Sequence, residues 1–253
     1  MDSETLDAVT LILPYYRNPH MLQRQLQEWS GYPRNLRVVI VDDGSPEPAL
    51  PIVRRFLGDS VAEPRDNLEL YRILVDIPWN RGGARNLGAH VCHTAWFIQA
   101  DIDHVLPLET FPALLKAPLL RKRAYRFPRF RVGAADATRK KDAIDPTAKF
   151  GPIRPHVDSY LIHRHLWDKV GGYDERFSGH LGGGNEFLKR LELRATVDLL
   201  PEPCALYCYT RDAIPDANDI HLSRAPGPNK WRRSVAQGGL KLGQLRFQWE
   251  RQL

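Results

Sequence analysis

Short apolar runs alternate with helix-like patterns between residues 9 and 100 of the chain. The apolar runs predict buried strands at residues 9–13, 36–41, 68–75 and 96–100. Between them, apolar residues recur at helical spacing and predict helices over residues 20–29, 50–57 and 84–93. Strands that alternate with helices predict an α/β fold, in which a mostly parallel central sheet carries helices on both faces.

The pattern is less regular after residue 107. Apolar spacing predicts helices at residues 108–116, 163–170 and 185–194, and strand-like runs occupy residues 121–132, 197–200 and 205–209. Residues 133–155 are polar and irregular. The sequence has no internal repeat, so we expect a single domain rather than a repeat array.

Acidic residues follow two of the predicted strands. Asp101 and Asp103 come directly after the strand at 96–100, and Asp42 and Asp43 close the strand at 36–41. Side chains two apart on an extended segment point the same way, so Asp101 and Asp103 are expected to face one site. Two carboxylates repel each other unless a cation or hydrogen-bond donors lie between them, which favours a divalent ion. The alternative for Asp42 and Asp43, which Gly44 follows, is an ordinary turn.

Composition limits the class of protein. A chain of 253 residues with 43% hydrophobic content suits one mid-sized domain. No apolar run reaches the roughly 18 residues that a membrane-spanning helix needs, and the acidic N-terminus lacks a signal-peptide pattern. The three cysteines form neither a disulfide framework nor a zinc pattern. These features predict a cytoplasmic protein.

The net charge of +6 favours anionic partners such as nucleotides, phosphorylated lipids or acidic glycans. No basic motif with interleaved aromatic residues is present, so nucleic acid is not an expected partner. The basic run Arg139-Lys140-Lys141 is either a solvated loop or part of an acceptor site. Residues 229–253 mix apolar and basic side chains, which is typical of a helix packed on the core or of a peripheral membrane helix.

Five motifs now stand in a fixed order along the chain. They are LPYYRN (13–18), VDDGS (41–45), NRGGARNLG (80–88), ADID (100–103) and GGYDERFSGHLGGGNEFLKRL (171–191). Together they resemble family 2 inverting glycosyltransferases with the GT-A fold, over about residues 9–233. Residues 79–107 also look like the matching part of β-1,4-galactosyltransferases. The resemblance implies one GT-A domain with a Rossmann-like sheet, a nucleotide-binding half at about 1–107, an acceptor-side half at about 108–228 and a helical extension at 229–253.

The resemblance also implies roles for individual residues. Pro14 and Tyr15 would frame the nucleobase, and Asp42 and Asp43 would hold uracil or ribose. Arg85 would contact the nucleotide or its diphosphate. Asp101 would hold ribose, and Asp103 would bind Mn²⁺ or Mg²⁺ together with His221. The implied donor is a nucleotide-sugar, with UDP preferred, and the implied acceptor is a hydroxyl of a glycan or glycolipid.

The last motif departs from the family pattern at the position of the catalytic base. Relatives usually carry Glu-Asp where this chain has Gly183-Gly184, while Glu186 matches the later acid. We expect Glu186 to serve as the base, with His180 or a carboxylate such as Asp158 as substitutes. The remaining alternative is a relative that binds sugar nucleotides without transfer. A sugar-nucleotide pyrophosphorylase is disfavoured because the first strand is followed by Pro14-Tyr15-Tyr16-Arg17, with no glycine.

Overall fold

The structure is a computed structural model that describes residues 6–60, 66–133, 150–211, 213–217 and 244–253. Its strands are β1 Val9–Tyr15, β2 Leu36–Asp42, β3 Leu68–Ile73, β4 Trp96–Gln99, β5 His104–Val105, β6 Ala124–Arg126, β7 Arg129–Val132, β8 Phe150–Ile153, β9 Tyr160–His163, β10 Val197–Leu199, β11 Leu206–Tyr209 and β12 Trp249–Arg251. Its α-helices are α1 Pro19–Gly31, α2 Ala49–Ser60, α3 Arg81–Val91, α4 Phe111–Leu115, α5 Arg164–Val170 and α6 Gly183–Glu192.

The main sheet has the strand order β10-β6-β9-β4-β1-β2-β3-β12. Its centre, β4-β1-β2-β3, is parallel throughout. Strand β9 runs antiparallel to both of its neighbours, and β12 runs antiparallel to β3 at the edge. The predicted α/β fold with a large central sheet is therefore confirmed, although antiparallel strands flank the parallel centre.

Helices cover both faces of this sheet because side chains alternate along each strand. Leu11 and Leu13 of β1 belong to a core shared with α1, α2 and α4, whereas Ile12 belongs to a second core shared with α3, α5 and α6. All three side chains are fully buried. This two-sided burial explains why the central strands read as continuous apolar runs.

A smaller sheet with the order β5-β11-β7-β8 lies beyond the end of β4. Strand β5 begins directly after the tight turn at residues 101–103, in which the His104 amide donates to the Asp101 carbonyl at 2.9 Å. The predicted extended geometry of this segment is therefore wrong. Asp101 and Asp103 lie on a turn that carries the chain from one sheet to the other.

Two other expectations need correction. Strand β8 lies at Phe150–Ile153, within the residues 133–155 that were expected to be irregular, and it pairs antiparallel with β7. Strand β9 at Tyr160–His163 follows, and its residues pair with β4 in the main sheet. Trp249 was expected in a C-terminal helix but lies in β12, where its ring packs 5.9 Å from that of Tyr71. Pairing with β3 satisfies backbone groups that an edge strand otherwise exposes. The Arg139–Lys141 run and residues 229–243 lie outside the described residues.

Within the described ranges, no helix combines the length and the apolar character that crossing a bilayer requires.

The close packing of α3 on β1 depends on Gly88. A Cβ at this position would overlap Cγ2 of Ile12. We therefore expect Gly88→Ala to lower the free energy of unfolding by about 1–3 kcal/mol, as overpacking of a core does. Urea denaturation measures this change.

The matched control is Gly58→Ala, because Gly58 lies in helix α2 with no atom within 4 Å of its added Cβ. This control should be neutral or should stabilise by up to about 1 kcal/mol through helix propensity. Equal effects of the two substitutions would contradict the described packing of α3 on β1.

Candidate active site

The carboxyl edge of the parallel strands forms the candidate site. Strand β1 lies between β2 and β4, so the connections after these strands leave in opposite directions and open a crevice at their ends. The register pairs Tyr15 with Asp42, which brings the ends of β1 and β2 side by side. Helix α3 begins at the same edge, and its N-terminal amides favour negative charge there.

A buried guanidinium joins this edge to helix α3. Arg85 is 1% exposed, and its Nη2 donates to Oδ1 of Asp101. Arg81, one helical turn earlier, donates to Oδ2 of the same carboxylate at 2.5 Å. The face of the Tyr173 ring lies 5.4 Å from the Arg85 guanidinium carbon. Two cations therefore hold one carboxylate at the end of β4.

This arrangement fixes the charge of Asp101. Burial raises the pKa of its carboxyl group, but the positive charges of Arg81 and Arg85 outweigh burial and hold the pKa well below its usual range. The Nε–H of Arg85 is buried and has no hydrogen-bond partner among the described residues. A ligand oxygen that reaches this donor would satisfy it.

Asp103 lies on the same turn as Asp101. Burial raises the pKa of its carboxyl group, and the negative charge of Asp101 adds to the rise while His104 opposes it. A divalent cation would relieve this repulsion. The chemistry of the turn thus fits the cation that the sequence predicted.

Two imidazoles extend the possible donor set for such a cation. Donor atoms of Asp101, His104 and His156 all lie within 4.8 Å of one another. Burial lowers the pKa of His104, and it lowers that of His156 to about 4, so both rings are neutral near pH 7. Neutral imidazole is the form that binds metals.

These donors already have protein partners. The Nδ1 of His104 lies 2.9 Å from the Ser159 hydroxyl, and its Nε2 lies 2.9 Å from Nη1 of Arg129. Both oxygens of Asp101 accept from arginines. An ion at this group would replace at least one of these contacts.

The Asp42 carboxylate is bound entirely by other groups of the protein. Its carboxylate is fully buried and accepts from the backbone amides of Ser45 and Ala49 at 2.8 and 3.0 Å. Nη1 of Arg72 donates to the same group at 2.6 Å. Burial nevertheless raises its pKa. In this conformation Asp42 shapes the loop after β2 and cannot touch a ligand.

Its neighbour Asp43 faces the other side of the loop. Nδ2 of Asn80, which precedes α3, donates to Oδ1 of Asp43 at 2.9 Å. Burial raises the pKa of Asp43 well above its usual range. Asp43 therefore connects the end of β2 to the start of α3, at the edge where a nucleotide was predicted.

The predicted nucleobase residues end β1. Tyr15 is fully buried, and its hydroxyl donates to the Glu47 carbonyl at 3.0 Å, whereas Pro14 is partly exposed. Burial and the charge of Asp42 raise the pKa of the Tyr15 phenol. Of this pair, only Pro14 is accessible to a ligand in the present conformation.

A cavity of about 190 Å³ opens beside the Arg85 cluster. The residues that line it come from the start of α3, the segment before β9 and the loop before α6, and they include Trp79, Arg81, Arg85, His156, Asp158, Tyr173, His180, Gly183 and Gly184. Oδ2 of Asp158 lies 4.0 Å from Nη2 of Arg85. The Asp158 carboxylate is therefore near the same Arg85 nitrogen that donates to Asp101.

Glu186 has a structural role that competes with the predicted one. It is 1% exposed, and Arg190 donates to both of its oxygens, at 2.5 and 2.7 Å. Arg190 also donates to the carbonyls of Val170 and Gly172, so the pair ties α6 to the end of α5. Glu186 is not among the described residues that line the cavity. The predicted metal ligand His221 lies outside the described residues.

The residues that sequence reasoning missed here are Arg81, His104 and His156. Arg81 was missed because the helix was predicted to begin at residue 84, whereas α3 begins at Arg81. With the helix extended to residue 81, the spacing of four residues would have placed Arg81 and Arg85 on one face. His156 had no such signal, since it lies in a segment without periodicity. Only the tertiary structure brings that segment to Asp101.

Removal of the Arg85 guanidinium should destabilise the protein. In Arg85→Met the Asp158 carboxylate loses its nearest cation and Asp101 keeps only Arg81, so we expect the free energy of unfolding to fall by about 3 kcal/mol. Urea denaturation measures the loss.

Arg34→Met is the control, because the Arg34–Asp66 pair is solvent-exposed and should contribute less than about 1 kcal/mol. If Arg85→Met unfolds at the same urea concentration as Arg34→Met, the buried cluster does not stabilise the fold as described.

Three solved structures illustrate the likeness of the fold. TarS 1-349 of S. aureus aligns with a TM-score of 0.59 and 14% identity over 81% of this chain and 61% of that one. The mannosyltransferase PcManGT of Pyrobaculum calidifontis, in complex with GDP-Man and Mn²⁺, aligns with a TM-score of 0.56 and 19% identity over 82% of this chain and 60% of that one. GalNAc-T7 with UDP, GalNAc and Mn²⁺ aligns with a TM-score of 0.60 and 12% identity over 83% of this chain and 45% of that one.

At these identities the likeness supports the fold, and this chain spans less than two thirds of the length of each of the three structures. No curated protein sequence matches the chain significantly. The family model for "Glycosyl transferase family 2" matches residues 10–150, which is more than half of the chain and includes β1 to β4 with the Arg85 cluster. The chain therefore belongs to glycosyl transferase family 2.

Proposed function

We propose that this protein is an inverting glycosyltransferase, which moves a sugar from a nucleotide-sugar donor to a hydroxyl of a glycan or glycolipid. The observation that carries the proposal is the pair of guanidiniums, Arg81 and Arg85, beside Asp101 at the carboxyl edge of the sheet. This edge is where open α/β sheets bind ligands, and its cations suit a diphosphate. Family membership supports the same reaction class.

The donor is proposed to be a UDP-sugar. PcManGT was solved with GDP-Man and GalNAc-T7 with UDP and GalNAc, so a nucleoside diphosphate is common to both. Our choice of UDP rests on the resemblance of residues 79–107 to β-1,4-galactosyltransferases. The sugar would then project from the diphosphate toward the cavity beside Arg85.

The nucleoside is proposed to lie along the ends of β1 and β2. Asp43 and Pro14 are the candidates for direct contact with uracil or ribose, since a carboxylate accepts hydrogen bonds from ring N–H and hydroxyl groups. Asp42 and Tyr15, which are fully buried, would act by holding the two loops in place. This division of roles refines the one that the motifs implied.

A divalent ion, Mn²⁺ or Mg²⁺, is proposed at the turn that follows β4. The motif implied Asp103 as its ligand, and Asp103 lies on the same turn as Asp101. Among the described residues, the donor atoms that lie within 4.8 Å of one another belong to Asp101, His104 and His156, a group that does not include Asp103. When bound, the ion would neutralise charge that develops on the leaving diphosphate.

The chain's own cations would support the same leaving group. The Arg85 guanidinium is held by Asp101 and the Tyr173 ring, so its position is set before a ligand arrives. Arg81 is more exposed and rests against the Trp79 ring, with 5.2 Å between its guanidinium carbon and the ring centroid. Such preorganised charges stabilise developing negative charge at little reorganisation cost.

One specific observation favours a second candidate function. Gly183 and Gly184 occupy the positions at which relatives usually carry acidic residues. A protein that binds sugar nucleotides without transferring the sugar would not need acidic residues there. Release of nucleoside diphosphate, measured against a panel of UDP- and GDP-sugars, separates the two functions. Binding without release would favour the non-catalytic alternative.

The proposed metal and nucleotide should stabilise the folded protein together. With UDP and Mn²⁺ near 100 times their dissociation constants, each bound ligand should add about 2.7 kcal/mol to the free energy of unfolding. Asp103→Asn should lose the part of the melting-temperature rise that depends on Mn²⁺, because it removes a charged ligand. Differential scanning fluorimetry with and without EDTA measures both effects.

Asp66→Asn is the matched control, since Asp66 is a surface carboxylate whose partner is the exposed Arg34. This variant should keep the full Mn²⁺-dependent rise. A rise that EDTA leaves unchanged in the unsubstituted protein would contradict the proposed metal.

A further inference from the structure

We propose that Asp158 is the catalytic base of this protein and that Gly184 is a glycine because the Asp158 carboxylate occupies the space beside it. This inference rests on the proposed transfer reaction. Asp158 lies just before β9, far in sequence from the loop at 182–184 where family members carry their acids. The structure brings the two segments together at the wall of one cavity.

The carboxylates that line the cavity differ in how many hydrogen bonds they already accept from the protein. Among the described residues these are Asp158, Asp174 and Glu175. Asp174 is 2% exposed and is bound through both oxygens by Arg176. Oδ1 of Asp158, in contrast, accepts one hydrogen bond from the Tyr173 hydroxyl at 3.0 Å.

Glu175 is similarly occupied. Its Oε1 accepts from Nδ2 of Asn86 at 2.9 Å and from the backbone amide of Leu245 at 3.0 Å, and its Oε2 accepts from the Arg246 amide. These bonds attach the C-terminal segment to the start of the 3₁₀ turn at Glu175–Phe177. Glu175 and Asp174 thus hold the backbone in place, and Asp158 is the lining carboxylate that is bound least by the described residues.

The backbone at Gly184 lies directly against the Asp158 carboxylate. A Cβ at this position would lie 2.7 Å from Oδ2 of Asp158 and closer still to its Oδ1. A side chain at residue 184 and the present position of the Asp158 carboxylate therefore exclude each other. The carboxylate that relatives supply from the loop before the helix is replaced in space by one supplied from the segment before β9.

Asp158 also lies close to the proposed donor site. Its Oδ2 lies 4.0 Å from Nη2 of Arg85, the same nitrogen that donates to Asp101. The carboxylate is therefore next to the guanidinium that is proposed to contact the diphosphate, and it also lines the cavity toward which the donor sugar would project. An acceptor hydroxyl that enters this cavity would meet Asp158 beside the donor sugar.

The proposed transfer forms one bond to the sugar and breaks another. An oxygen lone pair of the acceptor hydroxyl forms the new bond to the anomeric carbon of the sugar. The bond from that carbon to the phosphate oxygen breaks, and its electron pair stays on the departing nucleoside diphosphate. The hydroxyl proton passes to an oxygen of Asp158 and reaches solvent after the product leaves. The Tyr173 hydroxyl, which donates to Oδ1, holds the carboxylate in position.

The test compares turnover with nucleotide binding in matched variants. Asp158→Asn should lower the release of nucleoside diphosphate from UDP-galactose, UDP-N-acetylglucosamine and GDP-mannose by about 10²- to 10⁴-fold, with water or a monosaccharide as the acceptor. Its affinity for UDP with Mn²⁺, measured by calorimetry, should stay within about threefold, because general-base catalysis acts on the chemical step. Asp66→Asn should match the unsubstituted protein in both measurements.

Two further variants separate catalysis from folding. Sodium formate should restore part of the turnover of Asp158→Ala, since a small carboxylate can enter the vacated space, and a merely structural role would not respond to it. Gly184→Asp alone should be less stable and slower, because its side chain overlaps Asp158. In the double variant Asp158→Ala with Gly184→Asp, turnover should exceed that of Asp158→Ala alone.

The outcomes distinguish this inference from the proposed function. Normal turnover in Asp158→Asn would contradict the role of Asp158 as the base. The same conclusion would follow if neither formate nor Gly184→Asp raised the turnover of Asp158→Ala. Neither result would contradict glycosyl transfer itself. If the unsubstituted protein binds UDP but releases nucleoside diphosphate from none of the donors, the proposed transfer fails and the base fails with it.

Discussion

The buried contact between Arg85 and Asp101 is the interaction on which the rest of the site depends. It joins the first turns of α3 to the end of β4, and it brings Asp158 into the same cluster from the segment before β9. An unpaired charge at 1% exposure would be costly, so each of these groups stabilises the others in place. The cluster therefore fixes the relative positions of three segments that are far apart in sequence.

This constraint has a consequence for ligand binding. A cation that is already paired with carboxylates attracts an anionic ligand less strongly than a free one, yet it is held rigidly and needs no reorganisation when the ligand arrives. The neutral imidazoles of His104 and His156 add donors without adding repulsion toward a divalent ion. A diphosphate with its cation could then replace part of the internal pairing, with Arg81, the more exposed arginine, as the group that is easiest to move.

The sequence predicted the part of the fold in which local pattern and burial agree. Strands β1 to β4 are buried on both faces and read as apolar runs, and the glycine-rich start of α3 marked the position of Arg85. The sequence predicted a nucleotide contact for Arg85 and for Asp101, but it did not predict the direct contact between the two side chains. The alternation of polar and apolar residues could not reveal the turn at residues 101–103. An Asp-Ile-Asp sequence fits both the last residues of a strand and a turn that follows the strand.

The side of the site that His156 and Asp158 form was less predictable for a physical reason. His156 and Asp158 lie in a segment without periodicity, and their positions depend on β9 pairing antiparallel to β4, which is a long-range contact. Similarly, Glu186 matched a motif but is bonded to Arg190, one turn later on the same helix, and this pairing depends on how α6 packs against α5. A motif fixes which residue types are present, while packing decides which of them face the cavity.

A crystal structure of the protein with UDP and Mn²⁺ tests the central claim most directly. The claim predicts that the diphosphate lies at the carboxyl edge of β1 and β4, within about 3.2 Å of a guanidinium nitrogen of Arg81 or Arg85, with the ion bound by Asp103. A nucleotide bound away from this edge, with the Arg85 cluster unchanged and without ligand contact, would contradict the claim.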